Sequence, residues 1–428
     1  YNREFALDGI LPGAGARVIG RALDDKQYRV TWNGEVLVDC PVDAITAGRR
    51  VQRPARHRTP AARWKSGRTR KRDARGSLIR LLKSYNLGSR EYLFRHYDTE
   101  VQGRAWLRPG EGDACVLRAH PGRPLGLAFA VGGNPFWCLA DPRRGAAHAV
   151  AEAARNVACV GARPWALTDC LNFGHPEDAD VMGDFELTIE GLAEAARVLG
   201  GLAASGHPLP FVSGNVSLYN QSGIQAVPPS PIVMCAGVLR SLATATGIAV
   251  QRPGDFLVLV GEPRADLGGS AYVRDVLGQE AGAPPELDLE REARLQELAV
   301  EAAEQHWVRA AHDVSDGGLA VALAEMLLAA PESPLGIDVD LGVLEAEATA
   351  AMFGEAPGIV FEVSPERAAR LFQAARDSAL VAWPIGSVGA RRELRMLLPG
   401  GATAAWTTRA LREAVAQPLS KLWNEEVS

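Results

Sequence analysis

Leu167-Thr168-Asp169-Cys170-Leu171-Asn172-Phe173-Gly174 is the stretch on which the fold turns, together with Val212-Ser213-Gly214-Asn215-Val216-Ser217-Leu218-Tyr219-Asn220. Each follows an apolar run, Pro164 to Leu167 in the first and Pro210 to Val212 in the second, then changes abruptly to small and polar residues. That is the pattern of a strand end opening into a polar cleft. If two such ends lie side by side, Asp169, Asn172, Asn215 and Ser217 converge, and Gly174 and Gly214 let a ligand approach the backbone. An acid beside carboxamide oxygens suits a hard cation, and Mg²⁺ held this way commonly arrives with phosphate. Taken singly, each stretch reads first as a turn, because Asp and Asn serve loops; taken together they read as a site.

Outward from these stretches, residues 97–245 alternate strand and helix. Strands are expected at 114–117, 125–130 and, after Pro228-Pro229-Ser230-Pro231, at 232–239. A helix over 145–160 places Ala147, Val150, Ala151, Ala154, Val157 and Ala158 on one apolar face, which leaves His148, Glu152 and Arg155 to a solvated one. A second helix over 182–199 carries a core stripe of Met182, Phe185, Ile189, Leu192, Ala196 and Leu199.

A third region, 246–400, restarts with the strand 256–260 and the turn Leu267-Gly268-Gly269-Ser270, which opens a helix. After an acidic helix over 287–305 comes His312-Asp313-Val314-Ser315-Asp316-Gly317-Gly318 ahead of an apolar helix from Leu319. Two acids and two glycines at a helix start can hold a cation or admit phosphate. Asp316 serves equally as a plain N-cap. Residues 401–428 read as a helical tail in which Trp406 begins the helix and Leu411, Leu419 and Trp423 dock.

Before the site, residues 1–50 give short alternating strands at 16–20, 28–32 and 35–39, the last two joined by Asn33-Gly34, a strong hairpin signal. A hairpin this small buries no core, so it is expected to be the tail of a preceding domain. Residues 51–96 are a basic linker followed by helices around Leu78, Leu81 and Leu82 and then Tyr92-Leu93-Phe94. Net charge is −5, yet 49–75 holds twelve Lys or Arg against the single acid Asp73, so this segment carries +11 and the rest −16. Such a run can touch nucleic acid non-specifically, but no nucleic-acid-binding motif surrounds it, and a solvated linker is the reading adopted.

The 428 residues suffice for two or three domains. The six cysteines are scattered, with no Cys-x-x-Cys, and read as reduced thiols of a cytoplasmic protein; Cys170 reads as packing rather than as a nucleophile. No apolar run reaches the roughly 18 residues of a membrane span. The start at Tyr1, in what reads as the middle of an element, suggests a fragment.

The motifs resemble those of the phosphoribosylformylglycinamidine synthase family along nearly the whole chain. They include Arg90-Glu91-Tyr92-Leu93-Phe94-Arg95-His96-Tyr97-Asp98 with Val101-Gln102-Gly103, Ala149 to Asn156, Thr168 to Gly174, Ser213 to Asn220, Leu267 to Ser270 and His312 to Leu319. The last is shared in outline with aminoimidazole ribonucleotide synthetase. The resemblance implies an α/β fold, an aminoimidazole ribonucleotide synthetase-like half of a pseudo-dimer in which a barrel-forming sheet domain (97–245) is followed by a second α/β domain (246–400). Residues 1–50 would then finish a first half.

The resemblance further implies an ATP-dependent amidotransfer of purine biosynthesis. ATP phosphorylates the amide oxygen of formylglycinamide ribonucleotide, and ammonia from glutamine displaces that phosphate. By matching positions, Asp169 and Gly214 resemble nucleotide contacts, Asn215 a Mg²⁺ ligand and Ser217 a contact to the ribonucleotide. The family's catalytic histidines and other Mg²⁺ ligands belong to the first half, and no glutaminase cysteine signature occurs here. The fragment alone is therefore expected to be inactive, with ammonia coming from a glutaminase domain or subunit. A non-catalytic, nucleotide-holding half built around Asp313 and Asp316 is the alternative. Departures from the family are an insertion at 201–208, His175 in place of an Asn, and the strength of the basic run.

Overall fold

Asn33 and Gly34 both adopt positive φ, 48° and 86°, and close the hairpin expected from the sequence. The computed structural model describes residues 19–47, 51–62, 65, 73–202, 206–262, 267–329 and 334–426. Residues 16–18 of the expected strand at 16–20 and 203–205 of the 201–208 insertion therefore lie outside the described residues, and 19–20 are not in a strand. The chain divides into two units, 1–53 and 54–428. In the first, β1 (Gln27–Trp32) pairs antiparallel with β2 (Glu35–Pro41), and the short helix α1 (Val42–Thr46) follows. None of its described residues is buried, as a lone hairpin requires.

The second unit opens with an extended stretch, then α2 (Ala74–Leu82), capped by the Asp73 carboxylate, and the short α3 (Glu91–Phe94). Leu78, Leu81 and Leu82 of α2 are fully buried. Two sheets follow. The first is six-stranded, in the order β3 (Ala105–Leu107), β4 (Cys115–Arg118), β5 (Gly126–Gly132), β10 (Ser230–Leu239), β6 (Arg163–Asn172), β7 (Phe211–Ser217). All its pairings are antiparallel except β6 with β7. A two-residue hairpin, β8 (Gln221–Ser222) with β9 (Gln225–Ala226), hangs beyond β7.

Strand β10 shows how this sheet is built. Its residues alternate strictly between buried and half-buried, with Val233, Cys235 and Leu239 buried and Ile232, Met234 and Val238 half-exposed. The buried face packs on α5 (Pro142–Cys159), which follows α4 (Pro135–Ala140) and lies beside α6 (Ala179–Leu202). Alanines at 146, 149, 151, 153 and 154 keep α5 close to the strands. The other face also carries the half-exposed apolar side chains of Leu117, Leu127 and Phe129.

The second sheet is seven-stranded, in the order β12 (Val308–Val314), β14 (Gly358–Val363), β11 (Phe256–Gly261), β15 (Ala382–Gly389), β13 (Gly336–Asp340), β16 (Glu393–Leu397), β17 (Thr403–Thr407). Every residue of β14 is buried, and alternate residues of β11 enter two different clusters. Leu257 and Leu259 join the core with α2, α8 (Gly318–Leu328) and α9 (Ala348–Phe353), while Val258 and Val260 join one with α7 (Leu289–Glu304) and α10 (Pro365–Asp377). Continuous apolar strands of this kind have both faces covered. The last element is α11 (Thr408–Glu426).

Four expectations change. The side of α5 that carries His148 and Arg155 is not solvated: these residues are 2% and 3% exposed, because α7 and β12 pack there and each polar group finds a partner. On α6 the apolar stripe is rotated, so that Ile189 is exposed while Gly183 and Thr188 face inward. The turn at 267–270 opens only one π-helical turn, Tyr272–Val276. Trp406 belongs to the edge strand β17, not to the terminal helix, and donates its indole N–H to the Arg75 carbonyl at 3.1 Å.

Candidate nucleotide and substrate site

The two deciding stretches are neighbours. β6 and β7 run parallel in the register Thr168 with Ser213, Asp169 with Gly214, Cys170 with Asn215, Leu171 with Val216 and Asn172 with Ser217. Alternation then assigns each side chain to a face. Asp169 shares its face with Gly214 and with the buried Leu167 and Leu171, on the helix side of the sheet. A Cβ on Gly214 would lie 2.9 Å from the Asp169 carboxylate, so the acid extends over the bare glycine backbone. There Asp169 accepts a hydrogen bond from the Asn215 N–H. Partial burial pushes its pKa up, and that bond opposes the shift.

Cys170, Asn172, Asn215 and Ser217 occupy the other, uncovered face. The carboxamide nitrogens of Asn172 and Asn215 each lie 3.7 Å from the Cys170 sulfur, and Asn215 is exposed. Asn172 also donates to the Ser230 carbonyl at 3.3 Å, across to β10. The Ser217 hydroxyl is held by the Asn220 carboxamide at 3.0 Å, and Asn220 also donates to the Ser217 and Phe173 carbonyls. Backbone bonds zip the two strand exits together: Phe173 N–H to Ser217 O at 3.0 Å, Tyr219 N–H to Gly174 O at 2.9 Å and Asn220 N–H to Phe173 O at 3.1 Å. His175 meets the Tyr219 ring edge-on at 4.5 Å, and Tyr219 takes an unfavourable φ of 63°.

The expected convergence of four side chains is thus corrected. Adjacency holds, but Asp169 and the Asn215 carboxamide project from opposite faces of the pair, because residues one apart in a strand must do so. Any ligand touching both has to wrap the exposed edge formed by β7. The roles of Cys170 and Asn220 in holding the asparagines and Ser217 were missed from sequence; their shared register with Asn215 and Ser217 is a tertiary fact.

A second cluster lies between the sheets. One ligand atom each from Asp113, His312 and Asp313 falls within 4.8 Å of the others. Asp113 takes His312 Nδ1 at 2.6 Å on one oxygen and the Asp313 N–H at 2.9 Å on the other. Burial opposes charge on His312, but Asp113 and Glu325 overcome it and hold its pKa well above the usual value. Arg155 lies 3.4 Å from Asp313 and 2.8 Å from Glu292. Burial, then the Asp113 charge, pushes Asp313 up to about 6; burial and Asp313 push Glu152 up to about 8. Arg155 and His312 offset only part of this, so burial and like charge still disfavour the carboxylate forms of Asp313 and Glu152; the buried Asn156 carboxamide oxygen has no partner. Glu152 carried no local signal of its nearness to Asp313, because α5 read as half solvated, and Asp113 had none because its partners lie about 200 residues away.

The N-cap expected of Asp316 also changes. Gly317, at φ 85°, takes that position, and Glu355 supplies the carboxylate, accepting the Gly317 and Ala271 N–H groups at 2.6 and 2.7 Å. Asp316 instead accepts the Asn134 carboxamide at 3.0 Å.

The two sheet domains in succession belong to the class of the AIR synthase related proteins: the N-terminal domain of that family matches residues 111–239 and its C-terminal domain residues 252–398. The chain is 38% identical to the phosphoribosylformylglycinamidine synthase subunit PurL of Methanothrix thermoacetophila, over 97% of this chain and 55% of that protein. It resembles the solved structure of T. maritima PurL complexed with FGAR, with TM-score 0.62 and 21% identity, covering 78% of this chain and 52% of the other. T. maritima PurL complexed with ATP gives TM-score 0.58 at the same identity, covering 78% and 51%. The chain belongs to the phosphoribosylformylglycinamidine synthase family. It spans about half the length of the curated relatives it matches. Among the described residues, no helix is long and apolar enough to cross a membrane.

Proposed function

We propose that this chain forms the second half of a cytoplasmic, ATP-dependent amidotransfer enzyme that converts formylglycinamide ribonucleotide and glutamine-derived ammonia to the amidine. One observation carries the reading: the parallel register of β6 with β7 puts Asn215 and Ser217 on the uncovered face of a sheet, with Asp169 and Gly214 at its edge. The open apolar face suits a second, similar half laid against it, which would bring the remaining ligands and the catalytic histidines. Magnesium ATP, when bound, supplies the phosphoryl group that makes the amide oxygen a leaving group. Asn215 offers a carbonyl oxygen to the metal, and Gly214 an approach to its backbone unobstructed by a side chain. Asp169 steadies the Asn215 N–H, and the Ser217 hydroxyl, pre-oriented by Asn220, meets the ribonucleotide. Pre-set groups of this kind lower the barrier without reorganising during the reaction.

In the full-length protein with ammonia supplied, Asn215→Ala should lower the rate about a hundredfold or more. Near-normal turnover at ordinary Mg²⁺ would remove its metal role. The unpartnered Asn156 oxygen on α5, the helix whose Arg155 meets Asp313, favours a second reading, a structural nucleotide held between the sheets. A melting curve with and without ADP and Mg²⁺ decides: stabilisation lost with Asp313→Ala but kept with Asp169→Ala supports the second reading.

A further inference from the structure

The basic run was expected to be a solvated linker, and its residues 54–62 are exposed apart from the half-buried Arg58, but their backbone is also bonded to the second unit at every few residues. The Arg56 N–H donates to the Ala179 carbonyl at 2.8 Å, the Ala61 N–H to the Ala140 carbonyl at 2.8 Å, and the Ala62 carbonyl accepts the Ala283 N–H at 3.1 Å. These contacts tie the start of α6, the end of α4 and a loop preceding α7 to a single extended segment.

Side chains add two ion pairs and a histidine–carboxylate contact on the first two turns of α6. Arg56 reaches Asp180 at 2.6 Å, His57 reaches Glu186 at 3.0 Å, and Arg58 reaches Asp184 at 2.6 Å. The Arg58 pair is the most buried of the three, with side chains 29% and 13% exposed, and Arg58 also donates to the Cys138 carbonyl at 3.1 Å. Gly183 lets the segment lie flush: a Cβ there would stand 2.1 Å from the Arg56 carbonyl oxygen. Exposed pairs such as Arg56 with Asp180 contribute little, so Arg58 is the anchor.

The start of α6 is also where the site loop ends. Residues 173–178 run from β6 into α6 and are zipped by Phe173, Gly174 and Tyr219 to the strand exit that carries Ser217. We propose that 54–62 is a strap that positions this loop, with Arg58 as a positioning residue acting through Asp184 and the first turns of α6. The consequence for turnover rests on the function proposed above; the consequence for the loop does not.

The test uses the full-length protein and three variants, Arg58→Ala, Arg58→Lys and Asp184→Asn. Hydrogen exchange of peptides covering 173–180 should quicken roughly tenfold in Arg58→Ala and Asp184→Asn and recover in Arg58→Lys. Trypsin should nick after Arg56 or Arg58 faster in Asp184→Asn, because the freed strap fits a protease cleft. With the ribonucleotide as substrate, KM should rise about tenfold with kcat little changed, since a displaced loop binds poorly before it reacts poorly. Faster nicking with unchanged exchange at 173–180 would overturn the proposal, leaving 54–62 a local tether. Quickened exchange in a protein with no amidotransfer activity would keep the positioning role and remove the proposed reaction instead.

Discussion

The six-stranded and seven-stranded sheets of the second unit are built of similar strands and helices, yet the first buries a single face and the second buries both along β12, β14 and β11. In β14 every residue is enclosed, whereas in β10 every second residue is only half-covered. Stability is concentrated in the first case, and candidate chemistry in the second. A sheet with apolar residues on a bare face is an unfinished interface, and its polar residues at one edge are the part of a site that this chain contributes.

The largest test of this contrast is a pair of truncations. Phe361→Ala, in the enclosed β14, should cost about 3–5 kcal/mol in urea unfolding of the isolated chain, whereas Met234→Ala on the bare face of β10 should cost about 1 kcal/mol. In the full-length protein the Met234→Ala cost should rise toward that of a core residue. Equal costs in the isolated chain would mean that both sheets are already complete.

Next in size is a pH effect confined to the enclosed sheet. Burial pushes the Glu362 carboxyl up to about 7, against hydrogen bonds from the Arg252 and Gln251 N–H groups. The folded state then holds this proton more tightly than the unfolded chain, so the associated stability is present at low pH. It is lost as pH rises from the ordinary carboxyl value toward 7, about 3 kcal/mol in all, and the curve is flat beyond. Glu362→Gln should reduce, relative to the parent, the slope of melting temperatures measured between pH 4.5 and 8, the remainder belonging to Asp313 and Glu152. An unchanged slope would remove the role of Glu362.

The smallest effect reads the two faces of one sheet. Cys170 and Cys235 lie on opposite faces: Cys170 pairs with the half-exposed Ile232, and Cys235 with the buried Leu167. Burial pushes the Cys235 thiol up to about 12. Native-state alkylation of the isolated chain should therefore label Cys170 at least roughly tenfold faster than Cys235. Assembly in the full-length protein should shield Cys170; undiminished labelling there would argue that the face stays open.

Sequence reading was strongest where the signal is local. The hairpin at Asn33-Gly34 and the strand after Pro231 follow from alternation and turn residues that any short window displays, whereas the pairing of the two site stretches was only a condition that the sheet meets. Where it failed, the cause was distant. Helix α5 was assigned a solvated side because its His148 and Arg155 are polar, but Pro285 and Glu292, more than 130 residues away, supply their partners. Trp406 looked helical and became an edge strand, because β16 offers it a free edge.

From its residues alone this chain determined its family, its run of strands and helices, and which polar groups stand near a strand end, since period, turn chemistry and motif spacing are properties of neighbours in sequence. Only the tertiary structure decided that Asp169 and the Asn215 carboxamide face opposite ways, that Glu355 rather than Asp316 caps α8, and that a +11 segment includes a docked strap. Each of these depends on what a distant segment places against a side chain, and the free energy of a buried charge is set by that partner and not by its sequence neighbours.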